Sequence, residues 1–427
     1  MRLVADLHLH SKYSRAVSRS MDLEHLAEWG KRKGVDLVAT GDYTHPLWFS
    51  ELKQKLEEER PGLFKLKGSD DKTRFVLSTE ISKIYSQGAK VRRIHNVVLA
   101  PSLEAVEKLN KKLATVGNLY ADGRPTFGMS SRDFLKLIKD VDPNFQLIPA
   151  HVWTPWFSLF GSKSGFDSID ECFADQAEHI FAIETGLSSD PAMNWRLSAL
   201  DKVGIVSFSD AHSPGNLMRE ATVFEVEDST KLDFDLLIQM MREASPTFRT
   251  TQTLPTSRLD YTIEFYPEEG KYHYDGLRDE KLRWTPEETK KFSFRSPNSG
   301  RPVTVGVLHR VDALADRPLG FKPEGSPPFK RLVQLSQIVA EAMGSLETSL
   351  KARSAYDRVV SEAESELAVL IDLSVEEIKK QAGERVAEGV QRVREGRIHI
   401  EPGYDGEYGV VKVFAEKAGS VGQERLF

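Results

Sequence analysis

The sequence holds one cysteine, Cys172, in 427 residues. A single thiol excludes an intramolecular disulfide and any cysteine-rich zinc module, and it fits a reducing compartment. No apolar run reaches the roughly 18 residues of a membrane span. The N-terminus enters a strand pattern at once and does not read as a secretory signal, so a cytoplasmic protein is expected. An excess of positive charge is missing too: 58 Lys and Arg against 64 Asp and Glu leave a net charge of -6. The chain therefore does not coat nucleic acid by bulk charge, although local basic clusters remain able to bind it. No glycine-rich phosphate fingerprint follows a candidate strand, which argues against a nucleotide-binding Rossmann unit. What is present is a 40% hydrophobic fraction with 22 Phe, 11 Tyr and 6 Trp. That suffices for a sizeable core across roughly two or three domains.

Over the first 250 residues short apolar runs alternate with longer amphipathic stretches. Strands are expected at "LVADLHLH", "VDLVATGD", "RFVLSTE", "IHNVVLA", "QLIPAH", "IFAIET", "GIVSFSD" and "ATVFEVE". Helical patterns such as "MDLEHLAEWGKRKG", "SLEAVEKLNKKLA" and "SRDFLKLIKD" lie between them. The alternation predicts a mostly parallel sheet with helices outside, closed or nearly closed into a β/α barrel. Residues 251–325 are rich in Pro, Gly, Tyr, Arg and Ser, with strand candidates "YTIEFY" and "PVTVGVLH", and read as a small irregular α+β module. From 326 to 427 the pattern is helical, with capping-box spacing between Ser374 and Glu377, then a turn "EPGYDGEYG", a strand candidate "VVKVF" and a loose end.

Histidines and acids fall where these strands end. His8 and His10 end the first, Asp42 the second and Glu80 the third. His95 lies on the fourth, His151 ends the next, and Asp210 with His212 ends "GIVSFSD". Positions far apart in sequence meet if the strands surround one barrel mouth, the face from which such barrels do chemistry. Imidazole with carboxylate suits zinc, iron or manganese more than an all-oxygen magnesium cage. The set exceeds the roughly four donors that one zinc takes, so two or three adjacent ions are expected. Clusters of that kind activate water and stabilise both oxygens of a phosphoryl displacement, which points to hydrolysis rather than redox chemistry.

Around this centre lie groups suited to a polyanion. Lys90, Arg92 and Arg93 precede His95, and Lys12, Arg15 and Arg19 follow the first histidine pair. They read as banks for phosphates or as an ordinary solvated face. Trp153, Trp156, Phe157 and Phe160 follow His151 and suit either stacking on an everted nucleotide or a buried lid core. Ser162 and Lys163 offer phosphate or base contacts. Ser188, Ser189 and Asn194 offer hydrogen bonds, and the Asn194 amide suits reading a base carbonyl.

"DLHLHS" with the later "SDAH" resembles the polymerase-and-histidinol-phosphatase (PHP) family of metal-dependent phosphoesterases. The resemblance implies a distorted seven-stranded β/α barrel of PHP type, usually with three metals, on His8, His10, Asp42, Glu80, His95, His151, Asp210 and His212. Where that family writes Thr-Asp-His, this chain has Thr40-Gly41-Asp42, so Asp42 is expected to put a carboxylate in place of an imidazole. "STEISKIYSQGAKVRRIHNVVLAPS", "HVWTPWFSLFGSKSGFDSI", "ETGLSSDPAMNW" and "VGVLHRVDALADRP" resemble the endonuclease Q family within it.

That resemblance implies a DNA-repair nuclease. It would cut 5′ to uracil, hypoxanthine, xanthine or an abasic site with metal-activated water, leaving a 3′-hydroxyl. Its partner would be single- or double-stranded DNA, without a membrane. Zinc is the expected ion, with manganese or magnesium as alternatives. Competing readings are a small-molecule phosphoesterase on the same barrel and a non-catalytic DNA-binding protein. The end "VGQERLF" is a weak candidate for contact with a sliding clamp. Relatives commonly carry a four-cysteine zinc site in the second module. Here Ser296-Pro297-Asn298-Ser299 stands where Cys-Pro-x-Cys is expected, and "DGLRDEKLRW" lacks cysteine as well. Hydroxyls do not replace thiolates on zinc at neutral pH, so this module must fold by packing and hydrogen bonding or be less rigid.

Overall fold

A computed structural model describes residues 1–414. The candidate clamp-binding end lies outside the described residues. Arg2–Asp6 runs through the middle of the largest sheet, parallel to Leu37–Ala39 and antiparallel to Ala221–Glu225. Leu37–Ala39 is parallel to Arg74–Val76, and after one intervening residue the chain continues as Ser78–Gln87. That strand pairs antiparallel with Lys90–Leu99, which pairs antiparallel with Gln146–Pro149. Ala182–Glu184 and Gly204–Val206 follow as a parallel pair. Ser207 then bonds to the Thr222 hydroxyl and the Ile263 carbonyl, both at 3.0 Å, which brings the wall back to its start. The result is a barrel-like α/β wall followed by smaller sheets and C-terminal helices.

The wall is less parallel than its pattern predicts. Gly88 and Ala89, both at positive φ (61° and 57°), form a tight turn whose twist suits a hairpin. With no crossover helix between them, Ser78–Gln87 and Lys90–Leu99 can only run antiparallel. Inside the wall, Leu3, Leu37, Val76, Val97, Ile148, Ala182, Val206 and Phe224 meet in one buried cluster. Leu237 and Met241 of helix Phe234–Arg242 join it. All the wall strands named above except Ser78–Gln87 contribute to this one cluster, which places it within the ring. Val4, of opposite parity to Leu3 and Ala5, packs outward into the larger cluster with the helices.

Helix Leu23–Lys33 shows the local logic of that outer layer. Asp22 caps it by accepting from the His25 amide at 3.0 Å, and Gly34 ends it at φ 83°. Its buried Leu23, Leu26, Ala27 and Gly30 fall on one helical face.

Beyond the barrel, three expected assignments change. The first four residues of "YTIEFY" end strand Arg258–Glu264, which pairs antiparallel with Ala221–Glu225, so the barrel sheet extends past residue 250. "PVTVGVLH" is not a strand: Val307–Leu314 is a helix that begins after Gly306. The start of the C-terminal region gives a strand, Phe329–Arg331, parallel to Arg258–Glu264, before helix Leu335–Ala342 begins. The Ser374–Glu377 capping box is formed in both directions. The segment after the last helix turns back onto the second module, where Gly403 donates to Glu268 O at 2.8 Å. Where relatives are expected to hold zinc, Glu280 accepts from the hydroxyls of Ser296 and Ser299 and lies 3.3 Å from Arg301. No helix of the described residues is long and apolar enough to cross a membrane.

One buried ion pair joins barrel to tail. Lys33 Nζ lies 2.7 Å from Glu366 Oε2, with the two side chains 1% and 0% exposed. Tyr356 Oη (2.7 Å) and the Leu335 amide (3.1 Å) donate to the same carboxylate. Glu366→Ala would strand a buried ammonium and is expected to cost about 3–5 kcal/mol, read from the denaturant midpoint. Glu366→Gln, which keeps acceptors for Tyr356 or Leu335, is expected to lose less. An unchanged midpoint for the alanine variant would contradict this role.

Candidate metal centre

Two groups of side chains at the barrel mouth have the chemistry and spacing to hold cations. His8, His10, Glu80 and Asp210 form one, and Glu80, His95 and His151 form the other, with the donor atoms of each group within 4.8 Å of one another. Glu80 belongs to both. Its Oε2 lies 3.2 Å from His10 Nε2, and its Oε1 lies 2.6 Å from His95 Nδ1 and 3.1 Å from His151 Nε2. Asp210 Oδ1 is 3.1 Å from His10 Nε2. Yet His8 Nε2, His10 Nε2 and Asp210 Oδ1 are buried with no hydrogen-bond partner. Buried donors and acceptors that crowd together without bonding are costly unless a shared cation joins them. The residues therefore fit divalent ions bound by mixed imidazole and carboxylate.

Electrostatics favour the anionic forms. Burial opposes ionisation of Glu80, but the neighbouring His95 and Arg124, with the close His10 and His151 imidazoles, hold it well below the usual carboxylate range. Asp210 is likewise depressed, with His8 and His10 outweighing burial. Burial lowers the His95 imidazole to about 4 against the pull of Glu80, which leaves it neutral and able to donate its lone pair. Asp42, His151 and Asp210 sit just past strand ends at φ 46°, 31° and 47°. Left-handed backbone at non-glycine residues is strained, and it gathers at functional sites.

Asp42 does not stand among the direct donors as expected. Its Oδ1 is 3.1 Å from His10 Nδ1, while its Oδ2 accepts from the Ser11 amide (2.6 Å), the Ser11 hydroxyl (2.8 Å) and the Ser14 hydroxyl (2.8 Å). Both oxygens are thus engaged away from the cluster, and the carboxylate orients His10 from behind. Glu184 does the same elsewhere. It is 2.8 Å from His8 Nδ1 and accepts from the His151 amide at 2.7 Å. It was missed, although it ends "IFAIET" by the same strand-end rule that singled out the other acids. His212 stands outside both groups, with Nδ1 2.8 Å from Asp210 O and its ring 4.7 Å from that of His10. Arg124, from a loop without any pattern, reaches Glu80 Oε2 at 3.0 Å.

The centre opens into a cleft of about 400 Å³. His95, His151, Asp210 and Arg124 line it at the centre. Trp156, Phe157, Leu187 and Ser188 line it as well, together with Lys271, Tyr272, His273 and Tyr408 of the second module and the returning tail. The structure divides the aromatic loop. Trp156 and Phe157 line the cleft, whereas Trp153 is buried against Phe160 at 4.8 Å between centroids. Trp153 Nε1 donates to Asn194 Oδ1 at 2.8 Å, and Asn194 Nδ2 donates to Ser189 Oγ and Asp190 O. Asn194 is therefore committed to the lid core and does not face the cleft.

The basic banks divide as well. Arg92 is buried over Phe166 and bonded to Gly165 O and Glu171, so it braces the loop instead of facing phosphate. Lys12 is 2.9 Å from Glu51. Arg15, with its side chain 82% exposed, hangs beside Asp122 on the Arg124 loop. Arg19, Lys90 and Lys163 are exposed, and Arg93 is half-buried beside Phe157. Ser162 Oγ donates to Val305 O at 3.2 Å, tying the loop to the second module.

Residues 334–397 match the family model described as the MJ0043 C-terminal domain. The chain is 29% identical over 267 residues to the uncharacterized protein MJ0043 of Methanocaldococcus jannaschii, a match covering 62% of this chain but only 32% of that protein. It is 24% identical over 426 residues to the uncharacterized protein YqxK of Bacillus subtilis, covering 96% and 99% of the two. The fold is similar to the lesion-specific endonuclease PfuEndoQ from Pyrococcus furiosus, with TM-score 0.83, 29% identity and 98% of each chain covered. It is also similar to endonuclease Q in complex with a 27-mer duplex bearing an abasic lesion at the active site, with TM-score 0.81, 30% identity and 96% of each chain covered.

If Asp42 acts only through His10, Asp42→Ala is expected to weaken metal affinity about ten- to a hundred-fold without abolishing binding. His10→Ala should do more damage. Competition with a chelating dye measures both. Equal loss in the two variants would return Asp42 to the direct donors.

Proposed function

The chain belongs to the endonuclease Q family of metal-dependent phosphoesterases, and from that premise we propose that it nicks DNA 5′ to deaminated bases and abasic sites. The observation that carries this reading is the position of the donor cluster. Two groups sharing Glu80 open directly into a cleft walled by aromatic side chains. His8, His10, Glu80, His95, His151 and Asp210 would hold two or three divalent ions. Such ions supply activated water and charge neutralisation for phosphodiester hydrolysis. Zinc is the ion we assign, on the imidazole and carboxylate donors, with manganese or magnesium as alternatives.

The chain's own residues set the geometry around that chemistry. Glu184 and Asp42 fix the ring orientation of His8 and His10 from behind, so that both Nε2 atoms face the cluster. Arg124, beside Glu80 and on the cleft wall, is placed to meet a phosphate. Trp156, Phe157, Tyr272 and Tyr408 provide faces for a nucleotide turned out of the helix. Ser188 adds a buried hydroxyl without a partner at the cleft. Arg15, Arg19, Lys90, Arg93 and Lys163 remain available to the flanking backbone, as local positive charge on an acidic chain. Cys172 is free and buried, which suits a reducing cytoplasm.

The test is nicking of end-labelled duplexes containing hypoxanthine, uracil or an abasic site, with and without chelator, beside an undamaged duplex. Cleavage 5′ to the lesion, lost with chelator and in His8→Ala, is expected. No metal-dependent nick at any of the three lesions would sink the reading.

A further inference from the structure

Two adjoining segments of the cleft lining come from different parts of the chain. Gly186, Leu187 and Ser188 follow strand Ala182–Glu184, and Pro267 and Gly270 to His273 follow strand Arg258–Glu264. A single side chain reaches both. Glu220, 0% exposed, lies just before strand Ala221–Glu225. Its Oε1 accepts from the Leu187 amide at 2.9 Å and from the Phe265 amide at 3.3 Å. We propose that Glu220 is a positioning residue that holds two adjoining segments of the cleft lining against each other and so fixes the shape of the cleft there. This rests on the endonuclease reading above but concerns a group that neither touches the donor cluster nor lines the cleft.

The segment it holds turns sharply. Gly186 and Leu187 are consecutive residues at positive φ, 53° and 50°, and the second is a strained conformation for leucine. A Cβ on Gly186 would lie 2.5 Å from His151 Cβ, so the turn is pressed against a candidate metal ligand. The same amide that Glu220 holds thereby sets both the turn behind His151 and the position of Ser188. In the adjoining segment, Phe265 is the first residue beyond its strand, and Pro267 and Gly270 of the cleft follow.

The form of the clamp follows from its surroundings. Burial and the neighbouring Glu264 raise the Glu220 carboxyl well above the usual range, and Oε2 has no partner. A neutral carboxyl presents one carbonyl-like acceptor and one protonated oxygen, as a glutamine amide presents one acceptor and one NH₂. Glutamine should therefore do the work of Glu220, whereas alanine should not. A residue needed as a base, an anion or a cation ligand would behave in the opposite way.

The experiment compares wild type, Glu220→Gln and Glu220→Ala. Hydrogen exchange of the segments containing Leu187 and Phe265 reads the clamp without reference to activity. Both are expected to lose protection together in the alanine variant and to keep it with glutamine, while strand Ala221–Glu225 stays protected in all three. Nicking kinetics on a hypoxanthine duplex read its consequence. In Glu220→Ala, kcat/KM should fall about ten- to a hundred-fold, most of it in KM and with bound metal unchanged, and Glu220→Gln should restore it. The proposal is overturned if alanine leaves both segments protected, or if glutamine is as damaging as alanine. It is also overturned if exchange changes while KM does not. Absence of nicking by wild type would count against the endonuclease reading instead, and the exchange result would still decide the clamp.

Discussion

Everything at the barrel mouth depends on the burial of one carboxylate. Glu80 is 0% exposed and lies within bonding distance of His10, His95, His151 and Arg124. A buried anion survives only if cations or strong donors surround it, and here these arrive from separate strands and one loop. The same crowding leaves imidazole nitrogens of His8 and His10 without hydrogen bonds. Such a cluster would be a liability in a protein that did not bind metal, and it gains purpose when ions join the two donor groups.

The fold makes this possible by ending strands on turns that strain the chain. Asp42, His151 and Asp210 take left-handed backbone just beyond the wall, so their side chains turn toward the axis or toward a neighbouring ligand. The barrel interior below is apolar, built from Leu3, Val76, Ile148 and Val206 among others. Polar groups are thus confined to one end, and that end is roofed by a loop and a second module that leave an aromatic cleft between them.

Much of this was legible in the sequence because strand ends are marked by simple alternation. His8, His10, Glu80, His95, His151 and Asp210 were all placed at one mouth by that rule. The direction in which Asp42 points was not, since it depends on Ser11 and Ser14 offering competing donors. Arg124 lay in an unpatterned loop. The aromatic run after His151 looked uniform, yet packing sends Trp153 inward and leaves Trp156 and Phe157 at the cleft. "PVTVGVLH" carries β-branched residues that favour a strand, but Val307 and Val311 are buried one helical turn apart, and tertiary packing overrides the local preference. The change of composition near residue 250 and the end of the barrel sheet do not coincide, for a related reason. A change in composition marks where loops begin, and it does not reveal that Arg258–Glu264 returns to pair with the barrel.

The central claim is that Glu80 joins two metal sites into one centre. Its most direct test counts ions per chain by elemental analysis in wild type, Glu80→Ala and His95→Ala, each confirmed folded by circular dichroism. The expected result is two or three ions in the wild type. His95→Ala should keep the ion held by His8, His10 and Asp210, and Glu80→Ala should lose ions from both groups. A Glu80→Ala protein that retains as many ions as wild type would contradict the claim.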